Sequence, residues 1–227
     1  MGADIYEIAR SIKAYLETDK LAGIDELFYQ PPPVAKVARL TAAEKEIRLK
    51  ALKKTTQDCQ LCQLYKKRTN LVFGSGSPAA ALMFVGEAPG ADEDLKGEPF
   101  VGRAGQLLTK MIEAIGMKRG EVYIANILKC RPPNNRSPLP EEIASCSQFV
   151  REQIKIIRPK VICGLGKFAS QFLLDTQEPI TALRGKFYEI NSIKIMPTFH
   201  PAYLLRNPND KRLVWEDLKN IRDELEK

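Results

Sequence analysis

The chain has 227 residues, of which 44% are hydrophobic and 28% are charged. This length and balance are typical of a soluble globular protein with one main domain and a short appendage. The 35 basic and 28 acidic residues give a net charge of +7, which favours a polyanionic partner without proving one. We find no apolar run long enough to span a membrane and no signal peptide at the start of the sequence. We therefore expect a cytoplasmic protein.

The N-terminal region is predicted to be a helical appendage. Residues 4–28 place an apolar stripe opposite a charged face, which is the pattern of an amphipathic helix. Three consecutive prolines at residues 31–33 end any helix there, because proline lacks a backbone N–H. We therefore assign residues 1–50 to an N-terminal helical extension with a proline-rich linker, and residues 51–227 to the main domain.

Beyond the prolines, short apolar segments alternate with amphipathic helices. Thr41 and Glu44 form a capping-box pattern that begins one helix. The apolar segments predict strands at residues 81–85, 122–127, 161–165, 188–190 and 193–196. Further helices are predicted after residue 103, over 140–158, over 168–174 and over 210–226. Strands that alternate with helices form a mostly parallel sheet covered on both faces. The predicted fold class is therefore α/β, a three-layer α/β/α sandwich around a roughly four-stranded, mostly parallel sheet.

The loop after the first predicted strand is the most informative stretch of the chain. It runs from Val85 to Arg103 and combines glycine and proline with the carboxylates Glu87, Asp92, Glu93 and Asp94. A strand that leads into such a loop and then a helix is how α/β proteins build ligand sites. A long acidic surface loop would also explain the carboxylates, but a solvated loop has little use for Phe100. The stretch therefore predicts a functional site.

Four of the five cysteines form a pattern typical of metal ligation. Cys59 and Cys62 make a C-x-x-C pair, and Cys130 and Cys146 follow in two later segments. Thiolates from three separated segments can close one tetrahedral site, and zinc and a four-iron, four-sulfur cluster both accept four thiolates. The residues alone leave these two metals open. Cys163 lies inside an apolar segment and is predicted to be a buried hydrophobic residue.

His200 is the only histidine of the chain, and its surroundings are unusual. Residues 198–208 hold two prolines, two leucines, a tyrosine and an arginine. A rigid loop with exposed leucines beside a basic residue suits a wedge pushed into stacked bases. The alternative is a loop that packs its leucines inward.

Together these motifs resemble the family 4 uracil-DNA glycosylases, the iron–sulfur branch of their superfamily. The resemblance extends from about Cys59 to the C-terminus, and its motifs occur in the same order. They are G-E-A-P-G at residues 86–90, followed by Glu93 and Asp94, P-F-V-G-R-A-G at 99–105, A-N-I-L-K-C-R-P-P at 125–133, H-P-A-Y-L-L-R at 200–206, and the four cysteines.

The resemblance implies an enzyme of base excision repair. Such an enzyme flips uracil out of DNA and hydrolyses its N-glycosidic bond, which leaves an abasic site. By resemblance, Asn126 reads the N3–H and O4 of uracil, Phe100 stacks on its ring, and His200 donates a hydrogen bond to O2. The implied substrate-binding residues are Glu87, Ala88, Gly90, Phe100, Asn126 and His200, and the implied catalytic residues are His200, Asn126, Glu87 and Glu93.

Two positions depart from the better-known family 1 pattern. Ala88 stands where family 1 has a water-directing aspartate, and Gly90 stands where it has a thymine-excluding tyrosine. Glu87 and Glu93 are the nearest carboxylates that can replace the aspartate. Of the two, we favour Glu93 near the base or the attacking water.

The resemblance also assigns the cofactor and the DNA contacts. It implies a 4Fe-4S cluster with a structural role, held by Cys59, Cys62, Cys130 and Cys146. Leu204 would fill the stack that the flipped base leaves. The basic residues expected to contact phosphates are Lys129, Arg131, Arg136 and Arg206.

The expected partner is uracil-containing DNA, single- or double-stranded. We further expect a monomer that does not bind membranes, with a repair or replication partner docked by the N-terminal extension. The alternative function is a non-catalytic nucleic-acid-binding module with a four-cysteine zinc or iron–sulfur site.

Overall fold

The computed structural model describes residues 13, 14 and 17 and residues 40–227. Residues 13, 14 and 17 are helical, and the rest of the predicted helix over 4–28 lies outside the described residues, as do the three prolines. Residues 40–227 form one compact unit, and its first helix continues through residue 50. The division into an extension of residues 1–50 and a domain of residues 51–227 stays a prediction.

A six-stranded sheet lies at the centre of the described unit. Its strands are β1 (Ser75–Gly76), β2 (Leu82–Gly86), β3 (Tyr123–Asn126), β4 (Val161–Leu165), β5 (Tyr188–Ile190) and β6 (Ile193–Thr198). They are ordered β1-β3-β2-β4-β6-β5, and the four central strands are parallel. The two short edge strands, β1 and β5, are antiparallel to their neighbours. The predicted α/β class and its parallel sheet are confirmed. The sheet has six strands where roughly four were expected; β5 matches a predicted strand, whereas β1 was not predicted.

Helices cover both faces of this sheet. They are α1 (Ala42–Gln57), α2 (Ala91–Lys96), α3 (Arg103–Ala114), α4 (Pro140–Ile157), α5 (Gly166–Leu174), α6 (Ile180–Leu183), α7 (Pro201–Arg206) and α8 (Lys211–Leu225). Along β2, Leu82 and Phe84 join one buried cluster with α3 and α8. Met83 and Val85 join the other cluster with α1, α4 and α5. Alternate side chains of one strand therefore pack into two separate hydrophobic cores, one on each face of the sheet. The sheet and the helices on its two faces form three layers.

The helix ends follow local chemistry that the sequence predicts. The hydroxyl of Thr41 accepts from the backbone N–H of Glu44, whose carboxylate accepts in return from the backbone N–H of Thr41. Helix α4 begins at Pro140, where a missing N–H costs nothing. It ends at Ile157, and its C-cap, Arg158, adopts a left-handed conformation with φ of 46°. In the part of the chain that the structure describes, no helix is both long enough and apolar enough to cross a membrane.

The parallel strands bring the predicted site residues to one edge of the sheet. Gly86, at the end of β2, lies beside Asn126, at the end of β3. Strand β6 ends at Thr198, two residues before His200. Because parallel strands present their carboxyl ends at the same edge, the loops after β2, β3 and β6 meet there.

Candidate active site

A cavity of about 430 Å³ opens at the carboxyl ends of β2, β3 and β6. The six residues predicted to bind substrate all line it: Glu87, Ala88, Gly90, Phe100, Asn126 and His200. Glu93, Arg136 and Arg206 line it as well. The structure therefore brings together residues that are up to 119 positions apart in the sequence, between 87 and 206.

Asn126 lines this cavity and has an unpaired side-chain carbonyl. The residue is 1% exposed, and its Oδ1 has no hydrogen-bond partner among the described residues. Leaving a buried acceptor unpaired costs roughly 1–3 kcal/mol. Such an atom in a cavity lining indicates a ligand that carries a hydrogen-bond donor.

Gly86 makes room for this amide. A Cβ at position 86 would lie 2.4 Å from Oδ1 of Asn126 and 2.6 Å from the ring of Phe100. Side-chain and backbone atoms do not approach that closely, so a residue with a side chain would displace the amide or the ring. The absence of a side chain at position 86 therefore sets the shape of the cavity wall.

Phe100 adopts an unusual backbone conformation. Its φ is 54°, a left-handed value that costs a bulky residue roughly 1–3 kcal/mol and persists only where surrounding contacts enforce it. The side chain is 6% exposed, and its ring centroid lies 5.6 Å from that of His200, with 32° between the planes. Two rings thus line the cavity on which Asn126 opens.

Glu93 lines the cavity, but both of its carboxylate oxygens already accept hydrogen bonds from backbone N–H groups. Its Oε1 accepts from the N–H groups of Val101 and Gly102 at 2.8 and 2.9 Å, and its Oε2 accepts from Gly90 at 3.1 Å. Glu87 differs, because burial raises the pKa of its carboxyl above the ordinary range. Which of the two directs water is still a prediction, and the hydrogen bonds favour Glu87 over our expectation of Glu93.

His200 is half-buried at the cavity. Burial and, to a smaller extent, the charge of Arg206 lower its pKa to about 4, and Glu93 opposes the shift, so the ring is neutral at neutral pH. Its Nδ1 accepts from the backbone N–H of Ala202 at 3.1 Å. A neutral imidazole that accepts at one nitrogen carries its proton on the other, so Nε2 of His200 is a hydrogen-bond donor.

The prediction that Lys129 contacts phosphate needs correction. The residue is 1% exposed, and its Nζ donates to the backbone carbonyl of Asn126 at 2.8 Å and to Oε1 of Gln153 at 2.7 Å. Burial lowers the pKa of Lys129 to about 7. An enclosed amino group with two internal acceptors cannot reach a phosphate at the surface, and it instead holds the end of β3.

The segment after His200 is a helix rather than the rigid loop that we predicted. His200 is the N-cap of α7, and Leu204 is 1% exposed in the core formed with Leu108 and Val214. An enclosed leucine is not available as a wedge, so the inward alternative describes Leu204. Its neighbour Leu205 is 38% exposed, because successive helical residues point in different directions.

Two of the three arginines predicted to contact phosphate, Arg136 and Arg206, line the cavity, and Arg131 does not. Arg206 is exposed. Arg136 has a half-exposed side chain and pairs with Glu142 at 2.6 Å. The charge of Arg136 is offset by Glu142, and the contacts of both arginines with phosphate stay predictions.

The four predicted ligand cysteines line a second, smaller pocket. Cys59, Cys62, Cys130 and Cys146 share it with apolar and aromatic side chains. Two donors reach the sulfurs: Nη1 of Arg68 at 3.4 Å from Sγ of Cys130, and the N–H of Lys129 at 3.2 Å from Sγ of Cys146. Within the described residues, no three histidine, cysteine or carboxylate side chains stand close enough together to hold a metal ion. Cys163 is buried within β4, as predicted.

The sequence did not reveal several residues that form hydrogen bonds with the site from remote positions in the chain. Arg119 donates to the carbonyl of Pro99, 20 positions away. Arg68 and Gln153 reach Cys130 and Lys129 across even longer separations. No spacing rule in the chain indicates such pairs, since each depends on how separate elements pack.

The fold and the site define an α/β protein with a ligand cavity at the carboxyl ends of its parallel strands. The chain belongs to the uracil-DNA glycosylase superfamily, whose family model matches residues 73–219. It is similar to the type-4 uracil-DNA glycosylase of Archaeoglobus fulgidus, with 47% identity over 72% of this chain and 86% of that protein. The type-4 enzyme of Thermotoga maritima is 44% identical over 81% of this chain and 97% of its own. A type-5 uracil-DNA glycosylase from Pyrobaculum aerophilum is 31% identical over 64% and 71%.

The state of His200 is directly measurable, because it is the only histidine. In tag-free protein labelled at histidine, we expect one imidazole signal that reports a neutral ring with its proton on Nε2 and a pKa of about 4. The same ring in denaturant serves as the control and should titrate near its ordinary value of 6.5. A folded-state pKa near that ordinary value would contradict the neutral state of this ring.

The same shift carries a consequence for stability. The folded pKa of His200 is depressed, so the unfolded chain binds the proton first as the pH falls. The free energy of unfolding therefore keeps its full contribution from the neutral His200 above pH 6.5. That contribution is lost progressively as the pH falls from 6.5 to about 4.

Proposed function

We propose that this chain is a type-4 uracil-DNA glycosylase, which removes uracil from DNA in base excision repair. The observation that carries the proposal is the unpaired, buried carbonyl of Asn126 in a cavity shared with Phe100 and His200. The curated relatives are named type-4 uracil-DNA glycosylases, and the family match covers the residues of the cavity.

Asn126 would select uracil by its hydrogen-bonding edge. The flipped base gives its N3–H to Oδ1 and accepts at O4 from the amide nitrogen. Cytosine presents the opposite pattern, so each buried polar group left unpaired would cost roughly 1–3 kcal/mol. Phe100 would stack on the ring and contribute roughly 1–3 kcal/mol more. The base that satisfies the orphaned carbonyl is therefore the one that the cavity retains.

His200 would stabilise the departing base. When the N-glycosidic bond breaks, its electron pair goes to uracil, and negative charge builds on O2. The Nε2–H of His200 donates a hydrogen bond to that oxygen, and one preorganised donor of this kind is typically worth roughly 2.7–4 kcal/mol. The low pKa keeps the ring neutral, so it stabilises the anion as a hydrogen-bond donor and not as a cation.

Water completes the reaction at the sugar. It attacks the carbon that the base has left, and its proton must pass to a base. Glu87 suits this role, because its carboxyl lies in the cavity lining with a raised pKa, and such carboxylates are better proton acceptors near neutral pH. The oxygens of Glu93 already accept three backbone hydrogen bonds.

DNA would approach across the exposed end of α7. Leu205 is the exposed leucine there, and Arg206 follows it at the mouth of the cavity. We assign the wedge to Leu205, because an exposed apolar side chain beside a positive charge can enter the stack next to a phosphate. Docking of a repair partner by the N-terminal extension, a monomeric state and a cytoplasmic location stay predictions.

The cysteine pocket fits a 4Fe-4S cluster better than a single zinc ion. A zinc ion draws all its ligands to one centre, whereas each thiolate of a four-iron cluster binds a different iron, so its sulfurs stand farther apart. The four cysteines share one pocket, and the curated relatives are type-4 uracil-DNA glycosylases, the iron–sulfur branch that the sequence resembles. The cluster would supply a rigid covalent junction, and the N–H groups of Arg68 and Lys129 would stabilise its sulfurs.

Base release from a single-stranded oligonucleotide with one deoxyuridine tests the proposal. We expect wild-type protein to release uracil, and His200→Ala and Asn126→Ala each to lower kcat by on the order of 10²–10³-fold. Asn220→Ala removes an exposed amide from α8 and should leave the rate unchanged. Intact deoxyuridine with wild-type protein would sink the proposal and leave the non-catalytic binding module.

Metal analysis tests the cluster independently of activity. We expect iron and acid-labile sulfide in equal amounts and a brown protein. Cys146→Ala should lose both, because Cys146 lines the pocket. Cys163→Ala should keep both, because Cys163 lies within β4. Stoichiometric zinc without sulfide in wild-type protein would contradict the assignment.

The two leucines of α7 should behave differently. Leu205→Ala should slow uracil release from duplex DNA far more than from single strands, because only a duplex leaves a gap in the stack. Leu204→Ala should instead lower the free energy of unfolding by roughly 2–5 kcal/mol, as core truncations do. Denaturation curves and rates on both substrates distinguish them, and a duplex-specific loss in Leu204→Ala with none in Leu205→Ala would reverse the assignment.

A further inference from the structure

Arg119 holds the loop that carries Phe100 from outside the cavity. It lies between α3 and β3, with a half-buried side chain. Its Nη2 donates to the carbonyl of Pro99 at 2.5 Å, and its Nη1 donates to Oγ1 of Thr109 at 3.3 Å. The guanidinium therefore links the residue before Phe100 to the body of α3.

Glu93 holds the other side of Phe100. One of its oxygens accepts from the N–H groups of Val101 and Gly102, and the other accepts from Gly90. The loop after β2 and the loop that carries Phe100 are thus tied through one carboxylate. Phe100 sits between two fixed points, one made by Arg119 and one by Glu93.

Gly105 lets α3 pack against the backbone of Phe100. A Cβ at this position would lie 1.9 Å from the carbonyl oxygen of Phe100, so α3 packs directly against the backbone of that residue. Thr109 in turn donates to the carbonyl of Gly105 at 3.1 Å. Three sets of contacts therefore enforce the left-handed φ of 54° at Phe100, which an aromatic residue does not adopt unaided.

We propose that Arg119 is a positioning residue for base binding, which acts by holding Phe100 in its left-handed conformation within the cavity. The inference rests on the proposed function. Without Arg119, the carbonyl of Pro99 loses its tether, and Phe100 relaxes to negative φ with its ring away from the base. The planar guanidinium suits this role, because its two Nη groups donate to the carbonyl of Pro99 and to Oγ1 of Thr109 at the same time.

A double-mutant cycle tests whether Arg119 acts through Phe100. Uracil release from the single-stranded oligonucleotide is measured for wild type, Arg119→Ala, Phe100→Ala and the double variant. We expect Arg119→Ala to raise KM on the order of tenfold to a hundredfold, since small misplacements have effects of that size, with a smaller change in kcat. The double variant should be no worse than Phe100→Ala alone, because the two residues act as one unit.

Matched variants distinguish a specific effect of Arg119 on base binding from a general loss of folding stability. Lys118→Ala removes an exposed cation from the same loop and should leave KM unchanged. Arg119→Lys should restore part of the loss, and Thr109→Val, which removes only the second acceptor, should fall between wild type and Arg119→Ala. Thermal unfolding of each variant shows whether the fold is intact, and if Arg119→Ala does not fold, Arg119→Lys and Thr109→Val carry the cycle with Phe100→Ala.

The ring of His200 gives a readout that needs no activity. It lies 5.6 Å from the ring of Phe100, so its proton resonances sense where that ring is. In Arg119→Ala these resonances should move towards their positions in Phe100→Ala, and Lys118→Ala should not move them. Additive losses in the cycle, or unmoved His200 resonances in Arg119→Ala, would overturn the inference. Failure of wild-type protein to release uracil would instead overturn the proposed function, and the resonances would still decide the role of Arg119.

Discussion

The geometry of the cavity depends on the contact between the ends of β2 and β3. Gly86 and Asn126 are neighbours in register, and only the missing side chain at position 86 lets the amide and the ring of Phe100 share one wall. The amide therefore projects from the end of a buried strand, and its position follows from the pairing of β2 with β3.

Three unfavourable features meet in this one cavity. Asn126 has an unpaired carbonyl, Phe100 has a left-handed backbone, and His200 is half-buried near an arginine that opposes its protonation. Each costs free energy in the empty protein, and the two cores on either side of the sheet offset that cost. Groups held in place before the ligand arrives need no reorganisation during the reaction, so the local instability serves the chemistry.

The sequence predicted what local patterns determine. The apolar runs of β2, β3 and β4 and the cap of α1 are local, and they were right; the two residues of β1 carry no strand signal and were missed. The prediction that Lys129 contacts phosphate was wrong, because lysines are usually exposed. Nothing in the neighbouring sequence indicated the acceptors at Asn126 and Gln153. Leu204 was misjudged because two prolines suggested a loop, although Pro201 in fact begins a helix. A contact with a distant element, Gln153, decided the error at Lys129, whereas the error at Leu204 was local.

Lys129 connects the two sites of the molecule. Its amino group donates to the carbonyl of Asn126, its backbone N–H donates to Sγ of Cys146, and Cys130 follows it directly. The cysteine pocket and the backbone of Asn126 thus share one residue as their link. A displacement of Cys130 or Cys146 would therefore pass to the end of β3 through Lys129 without involving the other strands.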